Sequence, residues 1–108
     1  MEKLILAKPF ILQDGKEITE LLLDFDALAT ADFRQIRKLE AQIIDGTSIN
    51  VNEFVTGLDL SDSFRVATGF LAAVKGTPGL RIDDFMKLPL KDATRLGTKA
   101  AFFFADVD

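Results

Sequence analysis

The sequence contains no histidine, no cysteine, no tryptophan and no tyrosine. Without histidine and cysteine, the commonest general base, the commonest metal ligand and every thiol mechanism are gone. A serine nucleophile would have to use lysine, and no Ser-x-x-Lys occurs. There is no phosphate-binding loop or dinucleotide fingerprint, and Gly97-Thr98-Lys99 has the wrong order for one. The stretch "DGTSINVNEF" superficially resembles a calcium loop, but its glycine is in the second position rather than the sixth. The carboxylate pairs Asp24/Asp26, Asp59/Asp62 and Asp83/Asp84 each have a structural reading, at a strand end and two helix starts. We therefore expect no catalytic residue, no metal site and no cofactor: a protein that is not an enzyme.

Other absences bound the setting. The net charge is −4, and the 13 basic residues form no run. Nucleic-acid binders show a basic stripe because phosphate neutralisation dominates their affinity, so neither nucleic acid nor an anionic membrane surface is expected as a partner. No stretch approaches the ~20 apolar residues of a membrane span. The opening "MEKLILAKPFIL" lacks the layout of a signal peptide. The lack of cysteine fits a reducing compartment, and a cytoplasmic location is expected.

What is present is a globular composition, 48% hydrophobic and 28% charged over 108 residues, which suits one domain spanning 1–108. The first 26 residues hold two apolar runs around Asp14-Gly15, a dipeptide suited to a type I′ turn. A two-residue turn would pair Leu12 with Glu17, Leu6 with Leu23 and Leu4 with Phe25. One face would then carry Leu4, Leu6, Leu21, Leu23 and Phe25, and the other Ile5, Ala7, Ile11, Ile18 and Leu22. Pro9 would fall in a hydrogen-bonded pair with no N–H to give, so the strand should break or bulge there, or the register should differ.

From residue 30 the period changes to that of a helix. Thr30 reads as an N-cap with Asp32 in the first turn; Phe33, Ile36, Leu39 and Ile43 form a stripe, and Gly46 closes the segment. Glu40 projects into that stripe and reads either as a rim carboxylate near Arg37 or as a buried functional acid. Residues 45 to 60 read as a loop, with a short turn around Glu53-Phe54. A second helix starts at Ser61 and ends at Gly76, with Phe64, Ala67, Phe70, Leu71 and Val74 on a wide apolar arc. Gly69 inside it implies a close neighbouring element, given its ~1 kcal/mol cost relative to alanine. A short helix follows, with Ile82, Phe85 and Met86 inward, and a last helix starts after Pro89. The expected fold is α+β and mainly α: an N-terminal β-hairpin packed on three main helices and one short one.

The chain ends in "TKAAFFFADVD". Three neighbours on a helix fan over about 200°, wider than one buried stripe. Phe104 should join Ala93, Gly97 and Ala100 in the core, Phe103 should sit at its margin, and Phe102 should point away. With two apolar hairpin faces and one unplaced ring, self-association or partner docking is expected through Ile5, Ile11, Ile18, Leu22 and Phe102.

The Lys-Leu-Ile strand running into Pro9, the turn at "DGK", the strand "EITELLLDF", Asp32 in "TADF" and the final "LRIDDFMKLPLKDATRLGTKAAFFF" together resemble phage tail assembly chaperones. The resemblance implies a protein of the bacterial host's cytoplasm that binds the tape-measure protein, keeps its helices soluble, recruits tail-tube subunits and is absent from the finished virion. It also implies two product lengths made by frameshifting, for which codons of the Phe102–Phe104 triplet could supply a slippery uridine run. Two rivals use similar surfaces: a head–tail connector or neck protein that stays in the particle, and a small regulator of one host protein.

Overall fold

The structure, a computed structural model, describes residues 2–46 and 60–105. The turn expected around Glu53-Phe54 and the side chain of Ile43 lie outside the described residues. In chain order the elements are strands β1 (Glu2–Ile11) and β2 (Glu17–Leu23), 3-10 turns at Phe25–Ala27 and Thr30–Asp32, helices α1 (Phe33–Gly46) and α2 (Leu60–Gly76), a 3-10 helix at Ile82–Lys87, and helix α3 (Leu90–Ala105). This is the expected mainly helical α+β arrangement, and its short helix is of the 3-10 kind.

The hairpin departs from the expected register. Leu12 N–H donates to the Lys16 carbonyl and Gly15 N–H to the Leu12 carbonyl. The loop therefore has three residues, with Gly15 at φ +88°, rather than a two-residue type I′ turn. Phe10 pairs with Ile18 and Ile11 with Glu17, but further along Ile5 pairs with Glu20 and Leu4 with Leu21. Between these blocks β1 contributes residues 6–9 and β2 only Thr19, so the irregularity falls on Pro9, where no ladder donor exists.

Bulging preserves the alternation of β1, and Leu4, Leu6, Phe10 and Leu12 all reach the core. On β2, Leu21 and Leu23 are buried, and Ile18, expected outward, packs against the core beside its partner Phe10.

Helix α2 is the centre of the domain and touches α1, α3, β2 and the 3-10 elements on either side. It reaches α3 through glycine. A Cβ on Gly69 would lie 2.5 Å from the Leu96 carbonyl oxygen, and one on Gly97 would lie 2.9 Å from Val66 Cγ2. Small residues at the crossing let the two backbones approach, so Ala67, Phe70, Leu96 and Ala100 are fully enclosed.

Several side chains depart from their expected places. The cap before α1 is Ala29 rather than Thr30: Ala29 N–H donates to the Asp32 carboxylate at 2.7 Å, and Asp32 N–H returns a bond to the Ala29 carbonyl. Helix α2 begins at Leu60, before the expected cap Ser61. Met86, expected inward, is exposed, because a 3-10 turn eclipses every third residue; it keeps Phe85 and part of Ile82 on the core side, with Asp84 buried beside them.

Candidate functional site

The five residues expected to bind a partner do not form one surface. Ile5 and Ile11 are 56% and 63% exposed on the outer face of β1. Ile18 has turned inward, and Leu22 is half-buried. Phe102 is 70% exposed, on α3.

The hairpin's long edges are occupied in part by polar groups of the helical layer. On the β2 side, Leu22 N–H donates to Thr77 Oγ1 at 2.9 Å, and the same hydroxyl donates to the Leu22 carbonyl at 3.2 Å. Asp24 N–H donates to the Ala72 carbonyl. On the β1 side the buried carboxylate of Asp92 accepts the Ala7 N–H at 3.0 Å and the Arg95 guanidinium at 3.1 Å. Arg95 also donates to the Ile5 carbonyl at 2.6 Å. The edges expected to invite strand pairing are thus interrupted where they pass the helices. Nothing in the local sequence marked Thr77, Asp92 or Arg95 for this role.

A different apolar feature is continuous. Phe25, just after β2, stacks on Phe103 at 4.9 Å between ring centroids. Phe103 lies 5.4 Å from Phe104, Phe104 5.8 Å from Phe64, and Phe64 5.8 Å from Phe33. The Arg37 guanidinium covers Phe64 at 5.6 Å and Phe33 at 5.9 Å. Five phenylalanines from four segments form one continuous row of ring contacts. The triplet is ordered differently than expected: Phe103 is half-buried on Phe25, and Phe104 is 39% exposed at the edge rather than in the core. Phe33, expected in the core stripe of α1, is 49% exposed at the far end of the row.

The two ends of the row differ in charge. At the Phe25 end an open cleft is lined by Asp24, Asp26, Phe102 and Phe103, with the ion pair of Glu2 and Lys99 at its wall. At the Phe33 end a shallow depression is lined by Arg34, Arg37, Lys38 and Ala41. Glu40 answers part of this positive charge: it accepts from Arg37 at 2.9 Å and from Ser63 at 3.4 Å, the rim reading rather than the functional-acid one. Next to this end, Asp32 is held below its ordinary pKa, first by the Ala29 N–H and then by Lys75.

The sequence has ten phenylalanines and no tyrosine or tryptophan, but nothing local marks five of them as neighbours; their meeting depends on tertiary packing of four segments.

No described helix is long and apolar enough to cross a membrane. Among the described residues no group of three or more carboxylates gathers as metal ligands. The arrangement suits adhesion, with apolar rings, graded charge and a rigid support.

The family model for phage tail assembly chaperone proteins, E, or 41 or 14, matches residues 3–105, nearly the whole chain. No curated protein and no solved structure matches it.

Proposed function

The chain belongs to the phage tail assembly chaperone family, and from that premise we propose that it binds the tape-measure protein of its phage, keeps it soluble and brings tail-tube subunits to it in the host cytoplasm. The family is one of assembly chaperones and not of enzymes, and its partners are tail proteins. The observation that carries the reading is the family match across both the hairpin and the last helix. The aromatic row, exposed at Phe33 and Phe104 and half-buried at its other three rings, gives it a physical means, since apolar surface left open on a small domain marks a docking surface.

The test is co-expression with the tape-measure protein of the same phage. Recovery of a soluble complex is expected, together with absence of the chain from purified virions by mass spectrometry. A chain found in virions in stoichiometric amount would instead be a connector. Failure to hold the tape-measure protein in solution would remove the chaperone reading.

A further inference from the structure

We propose that the aromatic row receives one amphipathic helix whose charges are segregated along its length. Basic side chains would lie over Asp24 and Asp26, and acidic ones over Arg34, Arg37 and Lys38. This rests on the chaperone reading and adds the chemistry and placement of the bound segment.

Two features argue for a helix. The ring-to-ring steps of 4.9, 5.4, 5.8 and 5.8 Å match the roughly 5–6 Å between side chains three or four apart on a helix. Successive apolar residues of one helical stripe can therefore meet the open parts of Phe25, Phe103 and Phe104, with Arg37 already over Phe64 and Phe33. A helix rises ~1.5 Å per residue, so at most about 15 residues run the length of such a row. The edges of the hairpin are meanwhile interrupted by Thr77, Asp92 and Arg95, which disfavours an added strand.

The charges argue for how it lies. At the Phe25 end Asp24 and Asp26 remain after Glu2 is paired with Lys99. At the Phe33 end Glu40 pairs with Arg37, while Arg34 and Lys38 stand exposed beside it. A helix of one charge sign is attracted at one end and repelled at the other. A segregated helix is attracted at both, and only one way round.

The probes are two synthetic helical peptides of about 18 residues, of identical composition and apolar stripe. One carries Lys at one end and Glu at the other, and the second alternates them. The segregated peptide is expected to bind the full chain about tenfold more tightly at low salt, with the preference shrinking as salt rises. The double variant Arg34→Glu/Lys38→Glu, with an unchanged circular-dichroism spectrum, is expected to abolish the preference. Phe33→Ala/Phe102→Ala is expected to weaken both peptides.

Equal binding of the two peptides, or a preference that survives charge reversal, overturns the proposal. So does a free chain that dimerises in sedimentation through the row while binding neither peptide, which would make a second copy the occupant. If the tape-measure protein still co-purifies in those cases, only the placement and charge rule have failed. If the unaltered chain does not co-purify it, the chaperone reading has failed instead.

Discussion

The carboxylate of Asp92, enclosed near the start of α3, accepts the main-chain N–H of Ala7 inside the irregular stretch of β1. Arg95, one turn on, pairs with the same carboxylate and donates to the Ile5 carbonyl. The two side chains supply the bonds that an ordinary ladder partner would have given.

Removing Asp92 should therefore loosen the hairpin rather than the helices. Asp92→Ala removes the acceptor of the Ala7 N–H and the carboxylate partner of Arg95, and charge-assisted bonds of this kind contribute roughly 1.5–3 kcal/mol. A fall in urea stability of that order is expected. Asp92→Asn, which keeps one acceptor, should lose less. Amide exchange should show the Ala7 N–H losing protection first.

The two glycines of the helix crossing should respond differently to alanine. At Gly69 the new methyl meets the Leu96 backbone at 2.5 Å, which cannot give without moving a helix. Overpacking of this kind costs about 1–3 kcal/mol. At Gly97 it meets a Val66 methyl at 2.9 Å; a valine on a helix is stiff at χ1, so the methyl yields only by a small shift, and the gain in helix propensity of ~1 kcal/mol offsets part of the crowding. Thermal melts should show both variants destabilised, Gly69→Ala clearly more than Gly97→Ala.

The phenylalanine triplet should rank by its neighbours and not by its order in the chain. Phe103→Ala removes the stack on Phe25 and should cost the most stability. Phe104→Ala removes an edge contact and should cost less than the ~3 kcal/mol of a full core cavity. Phe102→Ala should stay within about 0.5 kcal/mol, as for other surface changes, and its effect should appear in partner binding. Equal losses at all three positions would contradict this ranking.

Asp32 sets a pH dependence on the acid side. Its pKa is lowered in the folded chain, first by the Ala29 N–H and then by Lys75, which lies 3.4 Å away. A carboxyl with a lowered folded pKa adds stability above its ordinary value of 3.8, and that contribution is lost as pH falls through the folded value. Asp32→Asn should be the less stable protein at neutral pH. The gap should close below pH 3.8, measured as urea midpoints across the acid range.

The elements of the fold were legible because each follows from local periodicity: alternation up to Phe25, then helical spacing with Gly46 and Gly76 as stops. The irregularity at Pro9 was legible too, because a missing N–H is a property of the residue itself. Its size was not, because the bond that accommodates it comes from Asp92, 85 positions away. The inward turn of Ile18 followed from the same shift of register. Ile5, Ile11 and Phe102 were read outward, and the structure leaves them exposed. The aromatic row could not be read, since Phe25, Phe33, Phe64 and Phe103 each had a sufficient local explanation and only packing aligns them.

Thr77 closes both main-chain groups of Leu22 with a single hydroxyl. With Asp92 and Arg95 on the opposite flank, this leaves the hairpin poorly fitted to extend into a growing sheet. Copies crowded together then carry little risk of irreversible fibre formation through these edges. A partner docked through side chains alone would have no main-chain ladder to unzip, so its residence time would be set by rings and charges that water and salt can compete away.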